Sequence, residues 1–377
     1  MNTLELTGLT ARPSQVWGGI RLVPLVRERP VEGLRLHREV YAGGGSGVVE
    51  VGPRAHYTSY IPHSFVADWS GEGAGTAAYG TQLAAHGDTG STPPRTVRLP
   101  RHRHHRTAKR QPGDRLRFLP LHLALEGYLS LHFGGPSTAW EEWSRHALRD
   151  GLSPRAEDAY LGWSVRGLGD ALRVFEIHPG QCGVMVYAAD SLAAAFVVPH
   201  PEDYRLLHAS LVQDLYGELV HQYAVYGAPV PAFGARIADG PGVDTLAGLR
   251  AAAREQERAW REAHGTLFAR ELLDSSYGFE RVYRMGTFTL WRFLPPFLRN
   301  GGGQHIGETV TDHKGRVAYL KTFRLSEAQI RRGHLLHRLA DADWHLPRAA
   351  VALGATEEEL VRRIRAAGFE SLLRARG

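Results

Sequence analysis

The sequence predicts an α+β protein, in which an N-terminal antiparallel-sheet α+β domain is followed by a mainly helical C-terminal domain ending in three short helices. Three observations carry this prediction. Short runs of branched and aromatic residues, separated by Gly and Pro, dominate the first two hundred positions, as strands require. The stretch 227–242 (GAPVPAFGARIADGPG) holds four glycines and three prolines, the composition of a domain boundary. The last fifty residues then show amphipathic segments opened by Ser and Thr and closed by Gly. The expected division is 1–235 for the first domain and 243–377 for the second.

Gly19 to Val26 is a β-type run in which Pro24 points to an edge strand. The cluster Gly43-Gly44-Gly45-Ser46-Gly47 marks a loop before Val48 to Val51, and Tyr57 to Trp69 reads as a strand broken near Pro62. Leu116 to Phe133 alternates Leu with polar residues at period two, which predicts a half-buried strand or hairpin. Pro136 to Arg149 carries Trp140 and Trp143 at helical spacing. Val174 to Ile177, Gly183 to Tyr187 and Leu192 to Val198 read as strands, the last two joined by a turn at Ala189-Asp190-Ser191. A helix follows from Pro201 with Leu207, Leu211, Leu215 and Leu219 at fourfold spacing. Asp244 to Asp274 is helical, and 306–323 reads as a hairpin turning at Asp312-His313-Lys314-Gly315.

The bulk composition bounds the function. A chain of 377 residues with 43% hydrophobic content is long enough for two folded domains. No apolar run approaches the roughly 20 residues of a membrane-spanning helix, and the start lacks the basic leader of a secretory signal. With one cysteine, Cys182, no internal disulfide forms, and its apolar neighbours suit a small buried residue. A cytoplasmic location without a membrane partner is expected. The net charge of +6 is local: 95–117 holds nine basic residues and one acid, so the rest of the chain carries −2. This basic loop, at about 85–115, is rich in Pro and His and poor in apolar residues.

At the C-terminus, Ser326 caps a helix whose stripe is Ile330, Leu335, Leu336 and Leu339; Leu346 to Leu353 makes a second; Thr356 and Glu359 open a third as a capping box. The string Arg348 to Phe369, with Ala349-Ala350, Leu353-Gly354, Thr356, Leu360 and Gly368, resembles the Fis-type helix-turn-helix of bacterial regulators. That resemblance covers about twenty-five residues within 326–377. Binding of nucleic acid is a separate question. Arg348, Arg362, Arg363 and Arg365 suit phosphate contacts, as do Arg101, Arg103, Arg106, Lys109 and Arg110 of the basic loop. The first turn of the third helix is Glu357-Glu358-Glu359, which phosphates repel, so a protein-interaction or dimerisation module remains an equal reading.

His122, Glu126 and His132 share a face by strand parity, and His63 stands in Ile61-Pro62-His63-Ser64. His63, His122 and Glu126 are the candidates for acid/base catalysis; polar residues on the wet side of a sheet explain the same pattern. His102, His104 and His105 lie among arginines that disfavour a cation, so no metal is expected. The glycine cluster at 43–47 matches neither a phosphate loop nor a dinucleotide fingerprint, and no cofactor is expected.

From Gly19 to about Tyr223, Ile61-Pro62-His63, Gly80-Thr81-Gln82, Glu126-Gly127 and the strand-strand-helix block 183–223 resemble the ARPP family. Its members are named for association with ADP-ribosylglycohydrolase and rhodanese-phosphatase genes. The basic loop is longer than the connection that family pattern implies. The resemblance implies a bacterial origin and a setting near ADP-ribose or nucleic-acid-end chemistry, with no established activity. The leading expectation is a nucleic-acid-associated regulatory or adaptor protein, with DNA or RNA, a partner protein or a second copy as partner. The alternative is an enzyme acting on a nucleotide or ADP-ribose-like substrate.

Overall fold

The run from Ile20 to Val26 becomes a strand buried on both faces, and that burial explains the architecture. A computed structural model describes residues 2–36, 48–52, 55–68, 76–85, 96–98, 117–118, 125, 129, 175–212, 216–237 and 242–374. Among them, nine strands form one antiparallel sheet. Its N-terminal members are β1 (Thr10–Ala11), β2 (Gln15–Trp17) and β3 (Ile20–Val26). Further along the sequence come β10 (Gln181–Ala188), β11 (Ser191–Val197), β12 (Gly278–Met285), β13 (Phe288–Leu294), β14 (His305–Asp312) and β15 (Val317–Arg324). The order is β1-β3-β10-β11-β15-β14-β13-β12, with β2 also on β3. A second antiparallel sheet, β4-β7-β6-β5, holds β4 (Leu34–Leu36), β5 (Val48–Gly52), β6 (Ala55–Asp68) and β7 (Thr76–Ala85). Short strands β8 (Thr96–Arg98) and β9 (Arg117–Phe118) join β7 and β6.

Alternation, with its phase shifted once by the irregularity between Gln181 and Gly183, sorts β10 onto two cores. In β10, Val184, Val186 and Ala188 enter one apolar cluster, whereas Cys182, Met185 and Tyr187 enter the other. The first cluster is covered by α1 (Pro201–Ser210), α2 (Tyr216–Val225) and the terminal helices α5 (Glu327–Asp341), α6 (Leu346–Ala352) and α7 (Glu357–Ala366). The second is covered by α3 (Leu246–Ala263), a π-helical turn at His264–Phe268 and α4 (Arg270–Leu273), through Trp260, Ala269 and Leu272. A short α8 (Ser371–Arg374) follows α7.

Local chemistry explains the turns. Ala189 and Asp190 adopt positive φ (47° and 61°), the two-residue geometry that suits the twist of a β10–β11 hairpin. Asp312 accepts from the amides of Lys314 and Arg316 at 2.9 Å each, closing the β14–β15 turn with Gly315 at φ 77°. Ser326 and Gln329 form a reciprocal capping box on α5. Thr356 accepts from the Glu359 amide, 3.2 Å, while the Glu359 carboxylate turns to Arg363, so the box expected at α7 is half made.

Several expectations are corrected. β3 is interior, between β1/β2 and β10. Pro24 is tolerated because its carbonyl accepts from the Arg12 amide, so its missing N–H faces the break between β1 and β2. Leu125 and Leu129 are helical and buried, against the strand expected over 116–133. Leu121, Leu125 and Leu129 also fit a fourfold period, and Leu, Ala and Glu favour helix. Phe175 to Ile177 form no strand. The helix expected from Pro201 is helical over 201–212 and again in α2, with 213–215 outside the described residues. The C-terminal part contributes four strands, where one hairpin was expected. β11 hydrogen-bonds to β15, pairing Ala194 with Phe323 and Val197 with Leu320, so one sheet holds strands from both sides of 235–243.

The terminal helices are part of this core. Ile330, Leu335, Leu336, Leu339, Ala349, Leu360 and Ile364 join the cluster that contains the sheet residues Ile306 and Phe323. Phe297 is fully buried at positive φ (51°) against α5, and a Cβ on Gly333 would lie 2.3 Å from its ring. Glycine is what allows that approach.

Candidate functional site

Charged side chains collect in two places of opposite character. The first is a row across the large sheet. Register places Glu280 beside Arg292, Arg292 beside Glu308, Glu308 beside Lys321, and Lys321 beside Phe196. The row starts at the exposed Glu280 and runs inward: Arg292 Nε meets Glu308 Oε1 at 2.9 Å, and the side chains of Glu308 and Lys321 are 0% and 1% exposed. The Lys321 ammonium stands 5.5 Å from the Phe196 ring centre and 5.9 Å from that of Phe323. Burial lowers the Lys321 pKa to about 7, opposed by the adjacent Glu308. β6 passes β14 and β15 with Cα atoms within 8 Å, which brings a strand of the second sheet against these two strands of the first.

The second collection is on the outside of α5 and α7. A cleft of about 560 Å³ is lined by Arg299 from the β13–β14 connection, Arg331, Arg332 and His334 from α5, and Arg363 from α7. Leu335, Leu353 and Ala366 supply apolar wall, and no carboxylate lines it among the described residues. Its arginines are held at the rim: Arg331 pairs with Glu327 at 3.5 Å, Arg363 pairs with Glu359, and the Arg332 guanidinium lies 5.6 Å from the Phe369 ring centre. The His334 pKa is lowered, first by burial and then by Arg299 and Arg338.

Of the residues nominated from sequence, Arg362 and Arg365 are exposed on α7, with no carboxylate within 4 Å among the described residues. Arg363 is half-buried and ion-paired, and Arg348 on α6 is exposed, 3.9 Å from Asp343. The four share the terminal helices without forming one tight cluster. His63 lies in β6, in the stretch between Tyr60 and Phe65 where the register with β7 shifts. His122, Glu126, Arg101, Arg103, Arg106, Lys109 and Arg110 lie outside the described residues. The parity argument that put His122, Glu126 and His132 on one face loses its basis where Leu125 and Leu129 turn helical. Cys182 is buried in β10, and burial raises its thiol pKa.

Sequence reasoning missed Arg299, Arg331, Arg332 and the row Arg292–Glu308–Lys321. The available signal was charge inside strand-like sequence, Gly307-Glu308-Thr309-Val310 and Leu320-Lys321-Thr322-Phe323, since Glu and Lys are almost never fully buried unless paired.

Among the described residues no helix is long and apolar enough to cross a membrane. No curated protein and no solved structure matches the chain. A family model, ARPP-2, matches residues 4–286, about three quarters of the length and all of the large sheet up to β12. By that match the chain belongs to the ARPP-2 family.

Proposed function

We propose that this is a bacterial, cytoplasmic, nucleic-acid-associated regulatory or adaptor protein whose terminal helices form a Fis-type helix-turn-helix. In this reading α6 and α7 are the paired helices, joined through Gly354 (φ 59°), and α5 braces them. The observation that carries it is the pair Arg362 and Arg365, exposed on α7 and free of neighbouring carboxylates among the described residues. Glu357, Glu358 and Glu359 occupy the first turn of α7, where a base-reading helix presents its contacts. The charge distribution therefore favours phosphate contact by the later turns, with Arg348 and Arg363 beside them, over reading of base edges. The loop arginines at 101–110 extend the same chemistry.

Fluorescence anisotropy with labelled duplex DNA and single-stranded RNA of one sequence tests this. The reading expects binding that weakens steeply with salt and discriminates little between sequences. Absence of binding to both at the lowest salt removes it.

A second reading, an enzyme on a nucleotide or ADP-ribose-like substrate, is favoured by one observation: Glu308 and Lys321 are paired on β14 and β15, the two strands that β6, the strand carrying His63, passes. An amine with a pKa near 7 is a competent base at neutral pH. Turnover of ADP-ribose that is lost in Lys321→Met, with the fold retained, supports this reading. No turnover by the unaltered protein counts against it.

A further inference from the structure

The cleft between α5, α7 and the β13–β14 connection is unlike the outer face of α7. It is concave, its apolar wall is formed by Leu335, Leu353 and Ala366, and its cations come from three separate elements. A nucleic-acid backbone needs an extended surface, whereas a volume of about 560 Å³ falls in the range of sites for small organic ligands. Four guanidiniums line the cleft, two of them also paired with glutamates outside its lining, and planar forks match phosphate oxygens two at a time.

We propose that this cleft binds a small organic phosphate of nucleotide size, its phosphates held by Arg299, Arg331 and Arg363 and its flat body laid on the Leu335–Leu353–Ala366 wall. Arg299 is exposed at the cleft mouth, with no carboxylate within 4 Å among the described residues, so it meets an incoming anion first. Arg331 and Arg363 each hold a glutamate of their own helix, at i−4 in both cases. These partners take part of each guanidinium and leave further N–H groups, since each guanidinium carries five. The lowered His334 pKa is a second sign of positive potential there, because Arg299 and Arg338 contribute to it after burial. The site shares only Arg363 with the nucleic-acid reading: Arg362 and Arg365 do not line it, and a soluble ligand here sits where it can alter how α7 is held against α5.

Isothermal titration of the full chain with pyrophosphate, ADP and adenosine tests the proposal. Pyrophosphate and ADP should bind saturably at one site, and adenosine should bind at least tenfold more weakly than ADP. Arg299→Gln with Arg331→Gln should weaken both phosphates by about tenfold or more, because charge-assisted hydrogen bonds to phosphate are lost. Arg362→Gln with Arg365→Gln should leave both unchanged. Ala366→Glu, an exposed helical position on the cleft wall, should act like the double arginine variant and guards against one variant failing to fold. No saturable binding of either phosphate, adenosine as tight as ADP, or binding indifferent to both cleft variants overturns the proposal. If the unaltered protein binds ADP in this way but neither duplex DNA nor RNA at the lowest salt, the nucleic-acid reading alone fails.

Discussion

The interior of the large sheet and the outside of the terminal helices hold the same kinds of side chain under opposite rules. Inside, Arg292, Glu308 and Lys321 alternate in sign across neighbouring strands, and Arg21 spends its guanidinium on Asp190 (2.8 Å), Ser14 (2.8 Å) and the Pro231 carbonyl (3.1 Å). Buried charge survives only when paired and hydrogen-bonded, so these groups serve the fold first. On α5 and α7 the arginines, Arg332 over Phe369 excepted, either pair within their own helix or face solvent, and such pairs are worth little to stability. Exposed arginines that stability does not need are the ones free to meet a ligand. Four experiments break or sharpen this contrast.

The largest effect belongs to the sheet. Glu308→Ala removes a fully buried carboxylate from between Arg292 and Lys321 and should cost about 3–5 kcal/mol in chemical denaturation, the scale for breaking a buried ion pair. A loss below about 1 kcal/mol places the row among weak surface pairs and erases the contrast.

Next is the seam that joins the two regions. Gly333→Ala puts a methyl group 2.3 Å from the Phe297 ring, and overpacking of this kind costs about 1–3 kcal/mol. The variant should lower the melting temperature and loosen the terminal helices, seen as faster amide exchange in α5. An unchanged melting temperature means that α5 does not bear on Phe297 as described.

The acid response comes third. Burial holds His208 and His264 at about 4 and His305 at about 3, with the positive charges of Arg21 and Arg324 assisting at the last two. An unfolded histidine titrates near 6.5, so between that value and about 4 the unfolded chain binds more protons than the folded one. Stability must then rise with pH across this window and fall as acid is added. Urea midpoints at pH 7 and pH 5 should differ, lower at pH 5; His305→Asn should flatten the difference. Equal midpoints mean that the histidines are hydrated.

How much of this was legible beforehand follows from what is local. The β14–β15 hairpin was readable because Asp312 and Gly315 make its turn by themselves, and α5 because Ser326 and its leucine stripe are local too. The helical state of Leu125 and Leu129 was hidden because leucine at every second position also satisfies every fourth. The charged row was hidden because Glu308 meets Lys321 only once the register is set, and Arg292 joins through a third strand. The cleft needs Arg299 from 32 residues before Arg331 of α5 and Arg363 from 32 residues after it. That meeting is made by Phe297 packing under Gly333, and no sequence period announces it. Arg362 and Arg365 were found because an exposed helix face is written in its own spacing.

The smallest expected effect on stability, and the most direct test of function, is Arg362→Ser with Arg365→Ser. Both side chains are exposed, so denaturation should shift by no more than about 0.5 kcal/mol. The plot of log affinity for duplex DNA against log salt should become shallower by roughly one unit per arginine removed. That shallower slope in a protein of unchanged stability is what a phosphate-gripping α7 predicts. An identical slope in the two proteins contradicts it and leaves the terminal helices as a brace for the sheet.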